Sequence, residues 1–139
     1  MGGYLSALYA ARHPEVRRVV LLAPAFRLAE RWEARVGAQA MADWRRTGAM
    51  QVFHYGEVRE RPLWPTLIDE AHDFEAYPDV RQPTLIFHGH HDDIVPVADS
   101  LTFAEGRPHV EVDVQDSDHE LGNVLEHLGR RTLSFLNDE

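Results

Sequence analysis

The sequence predicts an α/β protein with about three parallel strands flanked by helices, and three observations carry that expectation. Val19-Val20-Leu21-Leu22-Ala23 and Thr84-Leu85-Ile86-Phe87 are short apolar runs without alternation, as expected of strands covered on both faces. Segments of helical periodicity accompany them: Leu5, Leu8 and Tyr9 with small Ala7, Ala10 and Ala11 ahead of the first run, and Val124, Leu125, Leu128, Leu133 and Leu136 closing the chain. Before that closing segment, His109-Val110-Glu111-Val112-Asp113-Val114 alternates apolar and polar residues, which marks a strand with one exposed face at the edge of the sheet.

A helix over 1–13 has a small-residue face that lets it lie close to a sheet, and Pro14 ends it ahead of the strand 19–23. Residues 28–46 read as one helix, with Leu28, Trp32, Val36, Ala40 and Trp44 at intervals of four and Gly48 as its C-terminal stop. A hairpin over 50–61 follows, turning near Tyr55-Gly56-Glu57, and then a short helix over 65–73. The buried strand after Pro83 ends in the tight turn His88-Gly89. Pro96, whose missing N–H costs nothing at a helix start, opens a helix that Gly106 stops near Glu105. Residues 1–139 are expected to form a single domain in which 27–75 is an insertion.

Composition removes several function classes. The net charge of −9, with Asp and Glu spread along the chain, argues against a nucleic-acid surface, which needs clustered Lys and Arg to neutralise phosphates. No apolar run reaches the ~20 residues of a membrane-spanning helix, so no membrane partner is expected. The letters Met1-Gly2-Gly3-Tyr4-Leu5-Ser6 fit an N-myristoylation pattern, but the start of a buried helix explains them better. The absence of cysteine rules out disulfides and thiolate zinc sites and suits a reducing cytoplasm. His88, His90, His91 and Asp92 invite a zinc reading, yet residues two and three apart in a turn splay, so the expectation is no metal.

Chemistry is expected beyond the carboxyl ends of the strands, where ligands bind in open α/β sheets. The turn after the central strand carries Asp92-Asp93, and the loop after the last strand carries His119 in Asp116-Ser117-Asp118-His119-Glu120-Leu121. A neutral imidazole can take a proton from a serine hydroxyl near pH 7. A carboxylate on its other nitrogen fixes the tautomer and stabilises the imidazolium.

The pattern strand-His88-Gly89-x-x-Asp92-x-x-Val95-Pro96 resembles the acid loop of the α/β-hydrolase superfamily, and Met1-Gly2-Gly3 opening a helix is similar to its nucleophile elbow from the residue after the nucleophile onward. The resemblance implies a partial α/β-hydrolase fold, its C-terminal half, with 27–75 as a small helix-plus-hairpin cap. It assigns Asp92 as the acid rather than Asp93, which would face solvent, and His119 as the base. It makes Met1 an oxyanion donor and Gly2 the elbow glycine, at a point where helix and strand approach too closely for a Cβ. Trp32, Met41 and Trp44 become candidate substrate-pocket residues, although their spacing suits core packing. The nucleophile would fall one position before Met1, its identity open between Ser, Asp and Cys. The implied activity is cleavage of an ester, thioester or similar acyl bond of a small molecule, without a cofactor, as in small bacterial esterases and thioesterases. Residues 1–139 alone are then expected to be inactive, and the uncovered edge of the strand 19–23 to recruit another strand. The alternative is a non-catalytic fragment or interaction module that keeps the C-terminal lobe of the fold. An in-frame Gly-x-Ser encoded upstream of Met1 would distinguish the two.

Overall fold

The chain alternates helices and strands in the order α1 (Gly2–Arg12), β1 (Val19–Leu22), α2 (Leu28–Val36), α3 (Ala38–Thr47), β2 (Met50–His54), β3 (Arg59–Leu63), α4 (Thr66–Ala71), β4 (Thr84–Gly89), α5 (Val97–Ala104), β5 (Val110–Gln115) and α6 (Leu125–Asn137), the last preceded by a 3-10 turn at Gly122–Val124. This computed structural model describes residues 1–54 and 56–138. The expected hairpin tip falls partly outside the described residues, at Tyr55. Two units divide the chain, Met1–Phe26 with Tyr77–Glu139, and Arg27–Ala76.

The first unit is built on a parallel sheet in the order β1-β4-β5. All six residues of the central β4 are buried, which is why its sequence shows no alternation. Its side chains still alternate in direction. Leu85 and Phe87 pack with Leu121, Leu128 and Phe135 of the closing segment, while His88 reaches Ser100 on α5. Helices therefore cover both faces. On the α5 face Phe26 stacks on Phe103 with ring centroids 4.3 Å apart and meets Tyr4 of α1 edge-on, so α1 and α5 share one aromatic layer.

Among the glycines at the start of α1, Gly3 makes the close approach to β1. A Cβ on Gly3 would lie 3.0 Å from Pro24 Cα and 3.1 Å from the Leu22 carbonyl oxygen, whereas one on Gly2 meets nothing within 4 Å. This corrects the expectation for Gly2. The helix face that touches β1 is set by the rotation of about 100° per residue, and that face falls on position 3.

The second unit has its own core, in which Ala29, Met41, Trp44 and Ile68 are buried together and Trp32 packs against them. The Trp44 indole N–H donates to the Leu63 carbonyl at 2.8 Å, tying α3 to the antiparallel β2–β3 ribbon. The single helix expected over 28–46 is two helices that meet at Gly37, whose φ of 84° a side chain would oppose. Geometry accounts for the break. A strict spacing of four drifts by about 40° per step on a helix of 3.6 residues per turn, so one straight helix cannot keep that stripe on one face.

The β1 edge away from β4 is unpaired among the described residues. Val19 and Ala23 donate to the carbonyls of Pro83 and Phe87, so strand alternation leaves the N–H and C=O groups of Val20 and Leu22 on the open edge. Leu5, Tyr9 and Leu22 nearby are each about half exposed. No described helix is long and apolar enough to cross a membrane. An edge without a charge or bulge recruits another strand. Sedimentation of residues 1–139 should therefore show mass rising with concentration, and Leu22→Lys should shift the chain towards monomer. A concentration-independent monomer for the unsubstituted chain would argue that this edge is not available.

Candidate active site

Three features meet at the carboxyl end of the parallel sheet: the first turn of α1, held against Leu22 and Pro24, the loop after β4, and the loop after β5. The neighbouring strands β4 and β5 are in register to their ends, with His88 opposite Val114 and Gly89 opposite Gln115. Their loops accordingly leave the sheet side by side. Backbone bonds join them, from His90 N–H to the Gln115 carbonyl at 2.8 Å and from His91 N–H to the Ser117 carbonyl at 3.0 Å.

Gly89 makes this pairing possible. A Cβ there would stand 2.3 Å from the Asp118 carbonyl oxygen and 2.4 Å from that of Ser117, distances no real side chain tolerates. The His119 loop thus rests directly on the backbone of the acid loop. Beyond it, Ser117 Oγ–H donates to Asn123 Oδ1 and the Asn123 amide donates to the Asp116 carbonyl, closing the loop on itself. Leu121, buried at φ 56°, then returns the chain to α6. A non-glycine residue in that conformation costs on the order of 1 kcal/mol or more, sustained here by burial of its side chain in the α6 core.

The Asp92 side chain is fully buried. Its Oδ1 accepts from the N–H groups of Ile94 at 2.9 Å and Val95 at 2.7 Å, and its Oδ2 lies 2.7 Å from Nδ1 of His119. Burial pushes the carboxyl pKa up, but the bonds from Val95, His119 and Ile94 together outweigh it and hold Asp92 below the usual carboxylate range. The ionised carboxylate only accepts, so Nδ1 of His119 carries the proton and Nε2 offers a lone pair. No described side chain bonds that nitrogen, and His119 is about one-third exposed.

A second imidazole–carboxylate pair shows what is particular to the first. His127 binds Asp113 at 2.8 Å through Nε2, with its ring edge-on to Phe87 and Arg131 also facing the carboxylate. That pair ties α6 to β5. Asp93 is exposed and takes no part in the Asp92 network. Met1 and Gly2 begin α1 at the same end of the sheet, where the positive end of the helix dipole lies, and burial lowers the Met1 amino pKa from its ordinary value. Met41 and Trp44 are core residues of the second unit. No group of three or more His, Asp or Glu among the described residues is placed to hold a metal ion. Sequence reading missed the close approach at Gly89 and the buried His88–Ser100 bond. The pair His-Gly at a strand end was the available signal for the first.

Two outcomes follow from this geometry. Gly89→Ala should separate the two loops, lowering unfolding free energy by about 2 kcal/mol as for other overpacked sites and removing the Asp92–His119 bond. Urea midpoints and the His119 imidazole resonances check both. Because the folded pKa of Asp92 is depressed, its stabilising contribution is present above the ordinary carboxylate value of about 3.9 and lost as pH falls through the folded value. The stability difference between the parent chain and Asp92→Asn should therefore shrink as pH is lowered below about 4. A difference constant down to pH 2 would contradict the assigned direction.

Comparison with known proteins agrees with this architecture. Alpha/beta hydrolase domain-containing protein 10 from mouse aligns with a TM-score of 0.76 at 24% identity, over 96% of this chain and 57% of its own. A protein of Agrobacterium vitis S4 assigned as a hydrolase aligns with a TM-score of 0.80 at 18% identity, over 97% and 58%. Est1E from Butyrivibrio proteoclasticus aligns with a TM-score of 0.69 at 20% identity, over 98% and 58%. The chain thus spans under two-thirds of the length of these structures, and identities this low speak for the fold alone. No curated protein matches the chain. The model of the family described as "Uncharacterised protein family (UPF0227)" matches residues 1–137, so the chain belongs to that family, and its structure is a partial α/β-hydrolase fold.

Proposed function

We propose that residues 1–139 carry the acid and the base of a serine hydrolase that cleaves an ester, thioester or similar acyl bond of a small molecule. The observation that carries this reading is the Asp92–His119 pair: Nδ1 is bound to a buried carboxylate at 2.7 Å, and Nε2 is left without a described partner at the carboxyl end of the sheet. In the proposed reaction, Nε2 takes the proton of a serine hydroxyl as its oxygen attacks the acyl carbon. The same proton then passes to the leaving alkoxide or thiolate as an acyl-enzyme forms, and a water activated in the same way releases the acid. Asp92 remains ionised throughout and stabilises the imidazolium. Backbone N–H groups at the start of α1, near Met1 and Gly2, suit the oxyanion. The nucleophile lies outside these residues in this reading, and the acid-then-histidine order along the chain is the one this fold uses.

A second reading, a non-catalytic interaction module, draws on the open β1 edge and the exposed Leu5, Tyr9 and Leu22. Kinetics separate the two. Purified residues 1–139 should turn over nitrophenyl acyl esters no faster than background. When the chain is joined to a preceding segment that supplies a strand and Gly-x-Ser, hydrolysis should appear, and Asp92→Ala and His119→Ala should each reduce kcat by on the order of 10³ or more. Parent rates in His119→Gln would refute the acid–base assignment.

A further inference from the structure

Beside the Asp92–His119 pair the sheet encloses another imidazole, that of His88, which is fully buried near the end of β4. Its Nε2 lies 2.8 Å from the Val95 carbonyl oxygen. A carbonyl only accepts, so Nε2 carries a proton. Its Nδ1 lies 2.8 Å from Ser100 Oγ on α5, and in the neutral ring it accepts the hydroxyl proton. Both nitrogens are thereby held, and the ring plane with them.

The partners of this ring lead to the candidate active site. Val95, whose carbonyl His88 binds, is the residue whose N–H donates to Asp92 Oδ1 at 2.7 Å. The same Nε2 stands 3.3 Å from Asp92 Oδ2, the oxygen that accepts the hydrogen bond from His119 Nδ1–H. His88 thus reaches the carboxylate through the Val95 backbone, bound at its carbonyl while its N–H binds Oδ1, and the ring edge lies beside Oδ2 without donating to it. A histidine that merely filled volume would be less suited to this place than Leu85, Ile86 and Phe87, which precede it in β4, because each buried polar nitrogen must find a partner.

We propose that His88, anchored by Ser100, is a positioning residue that holds the Val95 backbone, and through it the Asp92 carboxylate, so that Oδ2 faces Nδ1 of His119. It touches neither substrate nor the reacting atoms and acts only through Asp92. The proposal rests on the hydrolase reading for its functional meaning, but its test requires no turnover.

The test uses the imidazole signals of the chain itself. In 15N-labelled residues 1–139, long-range proton–nitrogen correlations distinguish the two tautomers of each histidine, and solvent exchange reports whether the ring proton is held. The parent chain should show His119 as a single Nδ1–H tautomer with a protected proton. In His88→Leu and in Ser100→Ala that signature should be lost, with His119 averaging between tautomers, while the backbone amides of β4 and β5 keep their dispersion. A folded variant of either kind with His119 unchanged overturns the proposal. If His88→Leu does not fold, Ser100→Ala decides alone; if Ser100→Ala also fails to fold, the His88–Ser100 bond is a core contact and the proposal falls. A parent chain without a single His119 tautomer overturns both this proposal and the acid–base assignment. A parent with that tautomer whose completed enzyme hydrolyses nothing overturns the hydrolase reading alone.

Discussion

A buried carboxylate needs its lone pairs filled, and the Asp92 side chain is completely enclosed. Two backbone N–H groups, from Ile94 and Val95, and one imidazole N–H, from His119, bind three of its roughly four acceptor sites. Much of the sheet's carboxyl end follows from that requirement. The chain after Gly89 must curl so that residues two and three positions beyond Asp92 face its side chain, and the loop after β5 must come close enough to present a ring nitrogen. Satisfying the anion also keeps it ionised against the upward push of burial, and an ionised partner fixes the tautomer of His119. Electrostatics, loop shape and the chemistry available at Nε2 are consequences of one buried charge.

Sheet order then decides how closely the loops meet. Parallel neighbours leave the sheet at the same end, and β4 and β5 stay in register through Gly89 and Gln115, so both loops start level. Antiparallel pairing would have sent one of them to the opposite end. The approach of the two backbones exceeds what any side chain at position 89 permits. Burial of β4 on both faces gives the acid loop a rigid base, with Leu85 and Phe87 turned to the α6 core and His88 turned to α5. The second unit meets its packing requirement locally, through a core that includes Met41, Trp44 and Ile68 and a ribbon anchored by the Trp44 indole. For Met41 and Trp44 core packing therefore suffices as the reason for an apolar residue.

By itself the sequence determined the elements whose local signals are strong: the unbroken apolar runs that became β1 and β4, the alternating run that became the edge strand β5, the stops at Pro14 and Gly48, and the positions of Asp92 and His119 in the loops after strands. Those signals are short in range, and residue order carries them. The resemblance to the α/β-hydrolase acid loop, and not spacing by itself, pointed to Asp92 over Asp93; of the two, Asp92 has the enclosed side chain. Other features depend on residues far apart in sequence and were settled only when the chain closed. The polar face expected to be exposed on β5 is partly covered: Glu111 and Asp113 pair with Arg131 and His127 of α6, while Val114 is exposed. The close contact of α1 with β1 fell on Gly3 instead of Gly2, because helix rotation against the sheet selects the face. The long helix expected over 28–46 divided at Gly37, where one straight helix could not keep its apolar stripe in the core. Gly89 read as a turn residue, but its requirement comes from the Ser117 and Asp118 carbonyls across the sheet. The bonds of His88 to Ser100 and Val95 arise because a strand and the helix that follows it enclose a polar ring, which must then find partners on both. Pattern along the chain specifies where a side chain begins, and tertiary packing decides what it meets.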